Sequence, residues 1–407
     1  MLSAWSLGIA QASPRGTPWA CRVIDDSSRG ADGVKLGDIN GDGLLDIVTG
    51  WEEGGLTRVY LHPGAGKAKG PWPSVTVGKT PSVEDAVFVD LDNDGATDVA
   101  TCCEGDTRTV FVHWAPKERA DLLVAHKWEQ APIPASLGKM QWMFAQPVQV
   151  DCRNGVDLIA AGKNANAQLG WFEAGEDPRD LAAYQWHAIC PVGWVMSIRL
   201  SDMDADGDPD IVVSDRRGAL RGCRWLENPG PGPAQHEAWR NHFIGGSDHE
   251  VMFLTLADYD KDGLEDVLVA AKEAEVLWFR RLNAQGTSWH TMRIPYPENT
   301  GTAKAVAVGD MDGDGRNDLV VSCEHAVAPK SGVMWMPYLG NLSDPEWIPH
   351  EISGPRGIKF DRIELIDMDG DNDPDVLTCE EREGGKGIGV FWYENPLPRG
   401  HGAKADG

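Results

Sequence analysis

The sequence predicts an all-β fold, a single seven-bladed propeller of four-stranded blades closed by an N-terminal strand. Three observations predict it. A nine-residue acidic loop returns along the chain with its first Asp at 38, 90, 202, 258, 310 and 367. The steps are 52, 112, 56, 52 and 57 residues, and 112 is twice 56, so a degenerate copy is due near residue 150. Each copy is flanked by short apolar runs, and bulky aromatics recur at two further places in the repeat. A fixed period of about 50 residues with several short strands per unit indicates a propeller.

Residues 1–18 read as an N-terminal tail. Met1 to Ala12 is mildly apolar and ends Ala10-Gln11-Ala12, as the remnant of a secretory signal would. The run Trp19 to Ile24 has the pattern of a fourth strand but precedes every loop, so it is expected to complete the last blade. Such closure pairs two edges that would otherwise template aggregation. The first loop places Asp38, Asn40, Asp42 and Asp46 at positions 1, 3, 5 and 9, with Gly43 at 6. The second has Asp90, Asp92, Asp94 and Asp98. The copy due near residue 150 lies within Val148 to Ile159, reads as one residue short and is poor in carboxylates; it is expected to keep its strands and to have lost its metal. Intact loops resume with Asp202, Asp204, Asp206 and Asp210, then Asp258, Asp260, Asp262 and Asp266. Asp310, Asp312, Asp314 and Asp318 follow, and the last set is Asp367, Asp369, Asp371 and Asp375. Hard cations take several oxygen ligands from a flexible loop, so these residues are candidate ligands for about six structural calcium ions. An EF-hand is excluded, because position 12 of the Asp310 loop is Val321, inside a strand pattern.

After each loop come a second apolar run, then a third carrying Tyr60, Trp114, Trp171, Trp225, Trp278, Trp335 or Trp392. A fourth run opens at Trp19, Trp72, Trp128, Trp186, Trp239, Trp289 or Trp347, giving four strands and seven blades over residues 19–395. The tail 396–407, rich in Gly, Lys and Pro, is expected to be disordered.

The 407 residues carry a net charge of −26, which disfavours nucleic acid and anionic membranes. Six bound divalent ions would offset nearly half of it. No apolar run reaches the roughly 18 residues of a membrane span. The eight Cys do not read as a disulfide framework; Cys103, Cys323 and Cys379 share one strand position, as small buried hydrophobes do. Asn341-Leu342-Ser343 is a glycosylation sequon. Loops of this kind fill at extracellular calcium concentrations, so an extracellular or periplasmic monomer is expected.

The D-x-[DN]-x-D-G-x-x-D loop between two strands resembles the FG-GAP, or VCBS, repeat. That repeat builds the seven-bladed propellers of integrin alpha chains, fungal lectins, and domains of some bacterial polysaccharide lyases and a fungal sugar dehydratase. The resemblance covers residues 19–395 and implies fold and calcium ligation at the loop residues named above. The chain departs from it at Asp151 to Asp157 and at Asn372, which stands where Gly is usual but tolerates a left-handed backbone. No family-specific catalytic motif is present.

Binding is expected on the face opposite the metal loops, since loops on a rigid scaffold carry sites. About six residues beyond each last loop Asp stand Glu52, Glu104, Lys163, Arg216, Lys272, Glu324 and Glu380, all ionisable, with Arg217 and His325 next in line. Of the 17 Trp, 13 occupy the repeated strand positions and Trp5 lies in the tail; Trp51, Trp142 and Trp194 remain, and all three map to this face. An indole beside hydrogen-bonding groups is a platform for a sugar ring. Asp85 and His249 enter first strands here. Two functions fit. One is a carbohydrate or acidic small-molecule binder, read on the Trp and charged residues. The other is a lyase or dehydratase acting on an acidic sugar, with Arg216 as clamp and His325, His249 or Glu324 in acid–base roles. An adhesion scaffold, its mouth closed by ion pairs, is the third reading.

Overall fold

The computed structural model describes residues 16–342, 345–381, 385 and 387–397. The signal-like segment with Trp5, Ser343 of the sequon and residues 398–407 lie outside the described residues. Seven four-stranded antiparallel sheets make seven blades. Blade 1 runs Ala31–Gly37 (strand A), Asp46–Trp51 (B), Leu56–Tyr60 (C) and Ser74–Lys79 (D). The A strands of blades 2 to 7 are Val83–Val89, Gln141–Val148, Val195–Ser201, Val251–Ala257, Thr302–Gly309 and Phe360–Ile366. Their B strands are Asp98–Cys103, Asp157–Lys163, Asp210–Asp215, Asp266–Ala271, Asp318–Glu324 and Asp375–Glu380.

Every residue of these B strands is buried. A strand packed on both faces reads as a continuous apolar run, which is why the B strands lack polar alternation. The expected closure is present: Ala20–Asp25 is the fourth strand of blade 7, pairing antiparallel with Gly389–Glu394 from Ala20 opposite Glu394. Among the described residues all eight Cys are free.

The recurring Trp residues divide between two tasks. Those of strand C, such as Trp171, Trp225, Trp278 and Trp392, are fully buried between blades. Several at the start of strand D close the preceding connection by donating the indole N–H to a nearby carbonyl: Trp72 to Ala68 (3.0 Å), Trp128 to Leu122 (2.9 Å), Trp239 to Gln235 (3.1 Å) and Trp289 to Gly286 (2.9 Å). Aromatics bury much apolar area while the indole N–H still finds an acceptor.

The ninth loop residue fastens the end of strand A to the end of strand C. In blade 1, Asp46 accepts from Ile39 N (3.0 Å) and His62 N (2.8 Å). Asp98 does the same with Leu91 and Ala115, and Asp210 with Met203 and Asn228. Blade 3 keeps the device: Asp157 accepts from Val150 N (2.8 Å) and Ala174 N (2.9 Å). Blade 5 varies it, Asp266 taking the Trp278 indole and Arg281 N. The clamp therefore works with or without the rest of the loop.

Candidate functional site

The A-to-B loops lie at one end of the strands. The opposite end opens on the axis as a cavity of about 650 Å³. Two rings of side chains build it. The first comes from the ends of the B strands: Glu52, Glu104, Lys163, Arg216, Lys272, Glu324 and Glu381. The second comes from irregularities in the A strands. Pairing between A and B slips near the mouth in every blade, for example between Val83 and Asp85, Trp142 and Phe144, Val195 and Ser197, and Ala303 and Ala305. The residues inside these slips, Glu84, Met143, Met196 and Lys304, line the cavity, as do Phe253 and Asp361 at the longer slips of blades 5 and 7. A bulge re-aims a side chain, and here the same device turns one residue in each of these blades toward the axis. Phe144 and Phe253 meet edge-to-face at 5.9 Å on the cavity wall.

Six of the seven predicted ring positions line the mouth. The seventh place belongs to Glu381, six residues past Asp375; Glu380, one residue earlier, points the other way. Its carboxylate is 1 % exposed and accepts from the amides of Ile358 (2.9 Å), Lys359 (3.3 Å) and Ile388 (2.7 Å).

The charges interlock across blades. Lys163 pairs with Glu84 (3.0 Å) and Glu104 of blade 2. Arg216 pairs with Glu250 of blade 5 (2.8 Å), Lys272 with Glu324 of blade 6 (2.9 Å), and Lys304 with Glu324 (3.6 Å) and Asp361 (3.9 Å). Lys359 pairs with Glu381. Carboxyls remain in excess on the arc of blades 7, 1 and 2. Burial pushes Glu52 up to about 7, aided by its hydrogen-bonded neighbour Glu381. Burial pushes Glu84 up to about 8 against the pull of Lys163, which has one charge for two carboxyls. Burial and the adjacent Asp361 hold Asp32 well above the usual carboxylate range. At Glu324 the burial effect is reversed by Lys304 and Lys272, and the carboxyl sits below its ordinary value.

Trp194 lies in the mouth, partly buried, with Arg216, Lys163 and Arg217 at 4.5, 4.7 and 4.8 Å from its ring. It is rigidly held: the fully buried Asp215 accepts from Trp194 N (2.8 Å) and Gly193 N (3.1 Å), and Trp194 O accepts from Arg216 N (2.8 Å). Its indole nitrogen is buried with no hydrogen-bond partner.

Five other predicted residues lie elsewhere. Trp51 and Trp142 are 0 % exposed and belong to the core between blades, donating to Tyr60 Oη (3.0 Å) and Ser136 O (3.1 Å). Asp85 is buried away from the cavity in an ion pair with Lys35 (2.7 Å) and accepts from Ala145 N (3.0 Å). His249 lies in a separate cavity of about 290 Å³, its Nδ1 2.7 Å from Asp248. Arg217 is half exposed and stacks on Trp194 from outside the cavity wall. His325 does line the mouth, at its rim, with a largely exposed ring and Nδ1 3.2 Å from Thr302 Oγ1. Asp32, missed from sequence, also lines it.

The loops at the other end share one geometry. The first Asp accepts loop amides with both oxygens, as Asp310 does from Asp314 (3.1 Å) and Gly315 (2.9 Å). The sixth residue has positive φ in all six intact loops, from Asn372 at 72° to Gly207 at 98°. Several carboxylate oxygens are buried without hydrogen-bond partners, at Asp204, Asp208, Asp260, Asp369 and Asp373. Asp208 and Asp373, at the seventh loop position, were not anticipated as donors. Cations reach some loops: Arg179 meets Asp92 (3.2 Å), Lys117 meets Asp94 (3.1 Å), Lys69 meets Asp369 (2.7 Å), and Arg280 contacts Asp260 and Asp262. In blade 3, the Gln149 amide instead donates to Arg153 O (3.0 Å) and Gly155 O (2.7 Å).

A family profile for the FG-GAP-like repeat matches residues 38–101 and 222–321. Among solved structures, two crystal structures of BBS1N in complex with ARL6DN, soaked with mercury or lead, are similar. Each is 12 % identical and aligns over 94 % of this chain and 97 % of theirs, with TM-scores of 0.52 and 0.53. An Agrocybe aegerita lectin that specifically recognises non-reducing terminal N-acetylglucosamine is 16 % identical over 80 % of this chain and 81 % of its own, with a TM-score of 0.46. Comparison with curated proteins found no match.

Proposed function

We propose that this chain, a seven-bladed propeller carrying FG-GAP-like repeats, is an extracellular or periplasmic calcium-loaded protein that binds an acidic or otherwise polar carbohydrate in its axial mouth. The observation that carries this reading is the open cavity of about 650 Å³ lined by Trp194, whose ring has the charged ends of Arg216 and Lys163 4.5 and 4.7 Å away. A pyranose presents an apolar C–H face to an aromatic ring and hydroxyls to polar groups around it. Arg is suited to a uronate carboxylate. The carboxyls of Glu84 and Glu104, beside Lys163, and of Glu52 on the next blade supply hydroxyl partners. Ion pairs line this mouth without closing it, which disfavours a pure scaffold.

The six intact loops are read as calcium sites. Their donor set is all oxygen, and the buried unpartnered oxygens of Asp204, Asp208, Asp260, Asp369 and Asp373 support it. Bound ions would neutralise carboxylates crowded onto each loop. Among the described residues no helix is long and apolar enough to cross a membrane.

A second reading, a lyase or dehydratase on the same sugar class, draws on Glu52 and Glu84, whose raised pKa values of about 7 and 8 suit proton transfer near neutral pH. A panel of neutral glycans and uronates, read for binding and for unsaturated product, tests both. Binding without product supports the first reading and product the second. Equal behaviour of wild type and Arg216→Ala across the panel would overturn both.

A further inference from the structure

A second cluster lies away from the mouth, on the side of the molecule where blades 3 and 4 meet. Strand C of blade 3 ends at Glu173, and strand D, Gln185–Pro191, runs beside it with His187 opposite Trp171. Glu173 and His187 are therefore diagonal neighbours on one face of the sheet. A third residue arrives from blade 4: His236 ends the short turn Pro233–His236 that connects its strands C and D. Nε2 of His187 lies 2.7 Å from Glu173 Oε2, and Nε2 of His236 lies 3.2 Å from the same oxygen. The two imidazoles are 4.3 Å apart and both pack on Trp171.

Position is enforced. Gln235, the residue before His236, is 2 % exposed. Its carbonyl accepts the indoles of Trp171 (3.3 Å) and Trp239 (3.1 Å), and its side-chain amide donates to Val150 O of blade 3 (2.5 Å). His236 is thus pinned against the neighbouring blade, while its ring remains over one-third exposed.

Blade 4 supplies an internal comparison. There His242 stacks on Trp225 at 3.9 Å and bonds Glu227 at 2.6 Å, repeating the Trp–His–Glu arrangement of blade 3. The third group at Glu227 is Arg240 (3.3 Å), a cation that repels a metal. The pair alone is a packing element of this fold; the additional His distinguishes blade 3.

We propose that Glu173, His187 and His236 form a site for a borderline divalent transition cation of the zinc class, distinct from the oxygen-only loops. Two imidazole nitrogens and one carboxylate oxygen suit such metals, whereas calcium selects oxygen donors. Tetrahedral ligands at 2.0–2.1 Å from zinc stand roughly 3.3 Å from one another. The three donor atoms already lie within 4.8 Å of one another. Small side-chain rotations would seat the ion, with solvent as fourth ligand on the exposed side. The ion would join blade 3, whose own loop lacks most of its carboxylates, to blade 4.

The test uses the full chain in saturating calcium, titrated with Co²⁺ as a spectroscopic probe and with Zn²⁺ in competition. Wild type is expected to bind one equivalent with low-symmetry visible absorption, displaced by Zn²⁺. His236→Ala and His187→Ala should each lose more than roughly 100-fold in affinity, beyond the loss that even outer-shell partners cause. His242→Ala, the blade 4 counterpart, should bind as wild type. His236→Asn keeps the experiment decisive should the Ala variant fail to fold. Displacement of cobalt by calcium, wild-type affinity in either His236 variant, or an equal loss in His242→Ala would overturn the site.

Discussion

At the scale of single residues, Trp194 and Arg216 carry the binding proposal. Trp194→Ala removes the ring while leaving the Asp215-held backbone in place, so it should weaken the bound sugar about two- to tenfold, an aromatic contact being worth around 0.5–1.5 kcal/mol. Arg216→Ala should do more for uronates than for neutral sugars. Because Arg216 also pairs with Glu250, Glu250→Ala is the control that separates loss of a clamp from loss of an ion pair. Isothermal titration with one bound uronate decides it, and parallel losses in all three variants would point to structure. The raised carboxyls give a pH prediction. Glu52 and Glu84 titrate at about 7 and 8 in the folded chain, against an ordinary value of 4.5. Between 4.5 and these values the folded state holds protons that the unfolded chain has released, so their contribution to stability falls as pH rises through that window. Glu52→Gln with Glu84→Gln should flatten the decline in Tm from pH 5 to 8; an unchanged slope would refute the assignment. The ring was legible in the sequence as the residue six past the ninth Asp, as at Glu52 and Arg216; in blade 7 that residue is Glu381, and the expected Glu380 stands one residue short of it. Asp32 and the apolar wall were hidden, because a bulge adds a residue without marking the alternation. His249 was misplaced for the same reason, entering a strand whose pairing slips between Val251 and Leu254. Trp51 and Trp142 carry no sign in the sequence of which side of the blade they face.

At the scale of the element, the loop separates into two devices. The ninth Asp is a clamp between strand ends, and the other carboxylates are the proposed ion cradle. Blade 3 isolates the first. Asp157→Ala would leave the buried amides of Val150 and Ala174 without acceptors, each costing about 1–3 kcal/mol, so a loss of several kcal/mol is expected by urea denaturation. Burial pushes Asp157 up to about 7, so Asp157→Asn, which keeps one acceptor oxygen without the charge, should be milder. Equal effects of the two would show that charge rather than hydrogen bonding matters. The cradle is tested by chelation. An ion bound only by the folded chain at a hundredfold excess over its Kd adds about 2.7 kcal/mol. EDTA should therefore lower Tm sharply and calcium should restore it; an EDTA-insensitive melt would refute the calcium reading. The six intact loops and their spacing were visible in sequence, since each carboxylate is local to its turn, although the seventh-position donors Asp208 and Asp373 were not anticipated. The place of Gln149 was not visible: Val150 N bonds Asp157 as Ile39 N bonds Asp46, so Gln149 stands where the other loops have their first Asp, the blade 3 copy is full length rather than one residue short, and an amide there replaces a carboxylate.

At the scale of the whole molecule, the ring depends on one non-local strand. Ala20–Asp25 pairs with Gly389–Glu394 across almost the entire sequence. Its flanking charges contribute modestly: Arg22 and Lys69 both reach Glu394 at 2.5 Å, but these side chains are partly exposed, and such pairs are worth about 0–1 kcal/mol. The backbone ladder and the burial of Ile24 against Val390 and Trp392 in one cluster therefore dominate the closure. Removing residues 1–25 should expose the edge of Gly389–Glu394, which then invites pairing with another chain. Light scattering should detect association of the truncated chain, and its thermal melt should broaden and shift down. A synthetic peptide covering residues 17–26, added in excess, should reverse both changes, because it restores the missing strand without a covalent link. A truncated chain that stays monomeric with an unchanged melt would show that six complete blades and a three-stranded seventh are self-sufficient. Restoration of neither property by the peptide would show that the tether, and not the strand alone, closes the ring.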